Sequence, residues 1–177
     1  MKNHEKSMKL ALDQARLALE ESEFPVGCVL VKDNRVIATG RRANSQTSGS
    51  QQSANELDHA EIMALRNLLQ DYPDLERAGI TAYSTMEPCL MCLASLMLAN
   101  IHTIVYAYED VMGGATNLDL SQLAPLYRQK EITIIPDILR EESLDLFRSF
   151  FSSPTNSYWQ DSLLARHTLS QPRETSP

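Results

Sequence analysis

Two short groups of side chains that could build a metal site constrain this chain more than any other feature of its sequence. His59 and Glu61 form the first group, and Cys89 and Cys92 follow Pro88 in the second. An imidazole and two thiolates suit zinc, and a catalytic zinc site has three protein ligands and leaves the fourth position to water. The fold must therefore bring two distant segments together around one ion, with Glu61 as a carboxylate that does not bind the metal.

Both groups are expected at helix N-termini. Cys89 and Cys92 have i, i+3 spacing, so on a helix both sulfurs lie on one face within reach of one ion. His59 and Glu61 have i, i+2 spacing, which in mid-helix would point them to nearly opposite sides, so they can converge only in a first turn. The free amides and the dipole of a helix start also favour thiolate over thiol.

Hydrophobic periodicity predicts an α/β chain in which helices and strands alternate. Helices are predicted over 7–22, 60–69, 89–99 and 139–151, a hairpin over 26–39, and strands over 80–84, 103–108 and 131–135. Such alternation implies parallel pairing through right-handed crossovers. Residues 88–108 lack charged side chains for about the length of a membrane span, but a turn in their middle favours a buried helix followed by a buried strand.

Length and composition are those of one globular domain in a reducing compartment. The 177 residues are 43% hydrophobic and 22% charged, which fits a single domain with an adequate core. Three cysteines cannot all pair with one another, and two have metal-ligand spacing, so we expect a cytoplasmic protein. The net charge of −7 does not favour a polyanionic partner.

Two other interpretations of the metal-binding residues stay open. A structural zinc site would need a fourth ligand, and the candidates, none at short ligand spacing, are His4, His102, His167 and Cys28. A redox pair of Cys89 and Cys92 would leave His59 and Glu61 unexplained.

Several further residues receive plainer expectations. Cys28 is expected to be a buried residue of the first strand, and Arg41 and Arg42 to be a solvated pair. Asp58 is expected to cap the helix that follows it, although it could also reach the substrate. The polar loop at 45–57 could act as a lid over a pocket.

The chain resembles bacterial tRNA-adenosine deaminases and the related guanine and cytosine deaminases over roughly residues 8–151. The matching runs are Pro25–Gly27, His59–Leu65 and Glu87–Cys92. The resemblance implies a three-layer α/β/α cytidine-deaminase-like fold with a mixed five-stranded sheet, one catalytic zinc ion per chain, and usually a homodimer. It also implies that Glu61 shuttles protons and that Asn44 contacts the substrate.

On this resemblance we expect a zinc-dependent deaminase domain over 1–153 and a C-terminal extension over 154–168, for which a helix is one interpretation. Residues 169–177 are polar, charged and proline-containing, so we expect a disordered tail there. The long loop before His59, the residue Asp58 within it, the lack of a basic C-terminal helix and the net charge favour a small purine or pyrimidine base or nucleoside as substrate, with release of ammonia. Deamination of adenosine to inosine in tRNA is the alternative. A non-catalytic, zinc-stabilised binding protein is a further alternative, in which Glu61 would be dispensable.

Overall fold

The computed structural model describes residues 2–45 and 55–172 of the chain, which fold around one sheet. The strands are β1 (Gly27–Lys32), β2 (Arg35–Arg41), β3 (Thr81–Met86), β4 (Thr103–Tyr108) and β5 (Thr133–Ile135). The helices are α1 (Lys2–Glu20), α2 (Ala60–Asp71), α3 (Leu90–Leu98), α4 (Pro125–Arg128), α5 (Arg140–Phe151) and α6 (Leu163–Ser170), with a 3₁₀ turn at Leu120–Gln122. The predicted alternation of helices and strands is confirmed.

The sheet has five strands in the order β2-β1-β3-β4-β5, and its pairing is mixed. Strand β1 is antiparallel to both β2 and β3, whereas β3, β4 and β5 are parallel to one another. The predicted hairpin is present, with Asp33 and Asn34 at φ 49° and 62° in its turn, the left-handed conformation that such two-residue turns require. Parallel pairing is thus limited to the strands that α3 and the later connections join.

Helices cover both faces of the sheet and give three layers. Successive strand residues point to opposite faces, so Val29 packs with Met8 and Leu12 of α1, while Leu30 packs on the other face with Leu68 of α2. Helices α2 and α3 contact each other on that second face, and α1 contacts α5. The predicted three-layer α/β/α architecture is confirmed.

The uncharged segment 88–108 contains α3 and β4, which is the buried helix and strand that its sequence predicts. Within residues 2–45 and 55–172, no helix combines the length and the apolar character that a bilayer span requires.

The chain after α5 returns to the core. Residues 152–162 form turns, and α6 then begins after Ser162, whose side chain accepts a hydrogen bond from the Ala165 amide at 3.0 Å. Leu164 is fully buried in the main core. Helix α6 includes Leu169 and Ser170, the first residues of the segment expected as a disordered tail, and residues 173–177 lie outside the described residues. Of the expected lid loop at 45–57, residues 46–54 also lie outside them.

Candidate functional site

Two helix N-termini carry the predicted metal-binding side chains. His59 is the N-cap residue of α2, with φ −68° and ψ 152°, and Cys89 is the N-cap of α3, with φ −70° and ψ 172°. Neither side chain caps its own helix by a hydrogen bond, so both are available to a ligand. Cys92 lies in the first turn of α3 and Glu61 in the first turn of α2, as their spacing predicts.

The three candidate ligands meet at distances that suit one ion. The Nδ1 atom of His59 lies 3.5 Å from the Sγ atoms of both Cys89 and Cys92, and the ligand atoms all lie within 4.8 Å of one another. Zinc–nitrogen bonds of about 2.1 Å and zinc–sulfur bonds of about 2.3 Å in a tetrahedron place ligand atoms about 3.6 Å apart. The donor set could therefore hold a zinc ion.

The candidates for a fourth protein ligand lie elsewhere. His4 contacts the hydroxyl of Tyr83, and His167 contacts Glu109. Cys28 is fully buried on β1, as expected. Among residues 2–45 and 55–172, the metal-binding group comprises His59, Cys89 and Cys92, which is the ligand count of a catalytic site.

Contacts within the cluster prepare one thiol for metal binding. A hydrogen bond from Cys92 and a second contact with the His59 ring together lower the pKa of the Cys89 thiol to about 4, although burial opposes them. The same hydrogen bond raises the pKa of Cys92, and burial adds to that rise. The hydrogen bond with Cys89 also raises the pKa of His59. Cys89 thus supplies a thiolate at neutral pH, which is the form that binds zinc.

Glu61 lies beside the cluster as a buried carboxylate. It is 3% exposed, and Ser84 Oγ donates a hydrogen bond to its Oε1 atom at 2.9 Å. The Oε2 atom lies 3.4 Å from Sγ of Cys92 and so points toward the ligands. Burial raises the pKa of the Glu61 carboxyl, which brings it closer to the range in which a group can both accept and donate a proton.

A second buried carboxylate holds the loop that follows β4. Glu87 accepts hydrogen bonds from the amide of Asp110 at 3.1 Å and from the hydroxyl of Thr116 at 2.6 Å. A Cβ atom on Gly114 would collide with the Glu87 carboxylate and with the backbone carbonyl of Asp110, so the loop needs glycine there. Glu87 therefore fixes one side of the site through its hydrogen bonds.

A small pocket of about 90 Å³ opens beside the candidate ligands. This volume lies below the range of about 300 to 1,000 Å³ that is common for small-molecule sites, so only a small group fits inside it. The wall comprises Phe24, Val26, Arg42, His59, Ala60, Glu61, Met86, Glu87, Cys89, Asp110, Gly113, Tyr158 and Trp159.

The two predicted substrate contacts, Asn44 and Asp58, bind each other. The Nδ2 atom of Asn44 donates to Oδ2 of Asp58 at 2.9 Å. Asp58 also accepts hydrogen bonds from Asn55 at 2.8 Å and from Arg66 at 2.8 Å. Asp58 thus links the end of β2 to the segment before α2. The N-cap residue of α2 is His59, so Asp58 does not cap this helix as expected. Their contact with substrate stays a prediction, since the pocket wall contains neither residue.

Arg42 lies in the pocket wall, and the expectation that it is solvated is wrong. Its side chain is 2% exposed. The Nη2 atom donates to Glu56 Oε2 at 2.9 Å and to the hydroxyl of Tyr158 at 3.4 Å. Only Arg41 of the pair is exposed, and it binds Glu21 through two hydrogen bonds. The sequence did not indicate that Arg42 is buried, because arginine is seldom buried unless it is paired.

The aromatic side chains of the C-terminal extension also escaped the sequence analysis. The rings of Tyr158 and Trp159 stack with centroids 5.2 Å apart and planes at 6°, and both lie in the pocket wall. The Tyr158 hydroxyl donates to Glu56 Oε2 at 2.8 Å. A usable signal was present, since the single tryptophan of the chain follows a tyrosine in an otherwise polar segment.

Comparisons with known proteins agree on one family. The family model of the cytidine and deoxycytidylate deaminase zinc-binding region matches residues 1–108. A tRNA-specific adenosine deaminase of Agrobacterium fabrum is 33% identical over 145 residues, which cover 81% of this chain and 91% of that protein. A solved structure from work on A-to-I editing by tRNA:A34 deaminases has a TM-score of 0.66 at 30% identity and covers 80% of this chain and 98% of its own.

A longer relative matches over part of its length. The tRNA-specific adenosine deaminase subunit of Schizosaccharomyces pombe is 34% identical over 155 residues, which cover 84% of this chain but 37% of that protein. The present chain therefore spans a little over a third of that relative.

Proposed function

The chain belongs to the cytidine and deoxycytidylate deaminase zinc-binding family, a family of hydrolases that act on C–N bonds, and we propose that it deaminates adenosine to inosine in a tRNA. The observation that carries the chemistry is the position of Glu61. Its carboxylate contacts Cys92, one of the three candidate zinc ligands, and lies in the wall of the pocket. A scaffold would have no use for a buried carboxylate at this point.

Hydrolysis of an exocyclic amine needs two proton transfers, and Glu61 is placed to make both. His59, Cys89 and Cys92 would hold a zinc ion, and such an ion would lower the pKa of the attacking water. Glu61 accepts a proton from that water and donates it to the ring nitrogen as the C–O bond forms. It then carries the second proton to the departing amine as the C–N bond breaks, so that ammonia leaves and a carbonyl remains. Ser84 orients the carboxylate by its hydrogen bond to Oε1.

The choice of tRNA rests on the relatives. The three proteins reported above are each at least 30% identical to this chain. Two are named as tRNA-specific adenosine deaminases, and the third comes from work on A-to-I editing by tRNA:A34 deaminases. An enzyme that acts on a nucleic acid takes only the flipped base into its pocket, so the small pocket is compatible with tRNA as it is with a free base. The net charge of −7 opposes RNA binding in bulk, so the proposal requires local basic groups around the pocket.

A free base or nucleoside is a second candidate, and one observation favours it. Tyr158 and Trp159 close the pocket from the C-terminal extension, and Tyr158 is tied to both Glu56 and Arg42. A wall of this kind suits a small ligand that is enclosed on all sides.

One experiment distinguishes the two substrates. Zinc-loaded protein is incubated with a tRNA anticodon stem-loop, with the same stem-loop carrying guanosine for the target adenosine, and with adenosine, adenine, guanine and cytosine, and product and ammonia are measured. Inosine from the first stem-loop alone supports the tRNA proposal, and turnover that falls steeply with salt would add to it. Turnover of a free base or nucleoside alone would establish the second candidate.

We also propose a homodimer of a single deaminase domain in the cytoplasm. Several large apolar side chains on α3, on α4 and in the loop after β4 are exposed, which suits a contact with a second copy. They are Leu90, Leu98, Met112, Leu118 and Leu126. All three cysteines are free, as a reducing compartment would keep them. Light scattering of the zinc-loaded protein and of Leu98→Glu tests the dimer, since the variant is expected to be monomeric.

A further inference from the structure

Arg42 is buried in the pocket wall with part of its guanidinium unused. Its Nη2 atom is hydrogen-bonded to Glu56 and Tyr158. Its Nη1 atom is buried and has no hydrogen-bond partner among the described residues. A buried donor without a partner is costly, and such a group in a native structure calls for an explanation. Arg42 lines the pocket, so a ligand bound there would supply one once the guanidinium turns toward it.

The charges around the pocket decide which kind of acceptor fits. Glu61, Glu87 and Asp110 share the wall with Arg42, and Glu56 already pairs with the guanidinium at 2.9 Å. A phosphate or carboxylate beside these groups would meet acidic side chains and a cation that is already neutralised. An uncharged acceptor, such as a ring nitrogen, would satisfy Nη1 without that repulsion.

We propose that Arg42 is a specificity-determining residue whose Nη1 donates a hydrogen bond to a ring nitrogen of the substrate base. The inference rests on the proposed function, because it assumes that an adenine enters the pocket. Adenine carries such acceptors at N7 and N3. Glu56 and Tyr158 both accept hydrogen bonds from Nη2 and so limit the orientations of the guanidinium, which makes them positioning residues.

The test removes the Arg42 donor by substitution and the ring-nitrogen acceptor by means of substrate analogues. The protein and its Arg42→Met variant are compared on whichever adenine-containing substrate is turned over, and on the same substrate with 7-deazaadenine or 3-deazaadenine. In the unmodified protein, one of the two analogues is expected to lower kcat/KM by about 10- to 100-fold, the range of a hydrogen bond to a charged group. In Arg42→Met, that penalty is expected to shrink to about threefold or less.

Arg41→Met is the matched control. Arg41 is the neighbouring arginine, outside the pocket wall and paired with Glu21, so its variant should keep the full penalty. Arg42→Lys keeps the charge without the planar fork and should retain only part of the discrimination, which covers the case in which Arg42→Met folds poorly. Equilibrium binding of the same compounds to Glu61→Gln protein, in which turnover is suppressed, should show the same pattern as kcat/KM.

The outcomes separate the two proposals. If the chain turns over an adenine substrate but Arg42→Met and the unmodified protein penalise both analogues equally, the role of Arg42 is refuted and the proposed function stands. If no adenine-containing substrate is turned over, the proposed function fails and the inference falls with it.

Discussion

The pocket has two walls that are held together in different ways. The metal wall comprises His59, Glu61 and Cys89, which lie at the N-termini of two helices packed against each other and against the sheet. The aromatic wall comprises Arg42, Tyr158 and Trp159, which come from a strand end and from the irregular chain between α5 and α6. The first wall is fixed by the core, whereas the second is fixed by stacking and a few polar contacts.

From this difference we infer that the two walls have separate functions. The side chain of Glu61 is 3% exposed, but Trp159 is 40% exposed, and Glu56, the shared partner of Arg42 and Tyr158, is also exposed to solvent. Chemistry needs groups that are held within a fraction of an ångström, and only the metal wall offers this. We therefore expect changes in the metal wall to affect metal binding and kcat, and changes in the aromatic wall to affect KM.

The largest expected effect comes from Cys89→Ala. Loss of a group that merely supports a ligand costs about 10- to 100-fold in metal affinity, so loss of a ligand should cost at least about 100-fold and abolish activity. Zinc content after dialysis measures this. Cys28→Ala is the matched control, because Cys28 is a buried cysteine that lies outside the metal-binding group. Unchanged zinc stoichiometry in Cys89→Ala would exclude Cys89 as a ligand.

The next effect comes from Glu61→Gln, which keeps the size of the side chain and its contact with Ser84 but loses the base. General acid–base catalysis contributes about 10²- to 10⁴-fold, so kcat should fall by that factor while zinc content and thermal stability stay near those of the unmodified protein. Glu20→Gln, at an exposed position on α1, serves as control. Full activity in Glu61→Gln would refute the proton shuttle.

The metal wall was predictable from sequence because its information is local. The ligands have short spacings within each group, and those spacings fit only helix starts, so positions and chemistry could be inferred together. Periodicity predicted most of the helices and strands and the hairpin turn at Asp33 and Asn34, whereas the mixed five-stranded sheet was expected from the family resemblance. Ends of elements shifted by a few residues, as for β3, which extends to Met86.

The aromatic wall was not predictable because it depends on contacts between distant parts of the chain. Arg42 and Tyr158 are separated by 116 positions, and nothing in either neighbourhood indicates that they meet. Local pattern suggested a solvated arginine pair, and it did not indicate that Arg42 lies in the pocket wall. A buried arginine is strongly destabilising unless an acidic partner such as Glu56, from another part of the chain, pairs with it.

Trp159→Ala tests the aromatic wall at its most exposed member. Stacking of a base on an aromatic side chain contributes about 1 to 3 kcal/mol, so the variant should raise KM by about tenfold and change kcat by less than about threefold. Tyr72→Ala removes an exposed aromatic ring at the end of α2, outside the pocket wall, and should leave both constants unchanged. A loss of kcat with unchanged KM would show that the two walls do not divide the work as proposed.

Tyr158→Phe is expected to have the smallest effect, and it separates the ring from its hydroxyl. The ring stays in the wall, but Glu56 loses a hydrogen bond of 2.8 Å and Arg42 loses a long one of 3.4 Å. A hydrogen bond contributes about 0.5 to 1.5 kcal/mol, so kcat/KM should fall by about 2- to 10-fold, through KM. If the hydroxyl acts by positioning Arg42, the penalty for the deaza analogue should also shrink in Tyr158→Phe. A fall in kcat/KM that leaves this penalty intact would mean that the hydroxyl only stabilises the wall and that Arg42 is held by Glu56 alone.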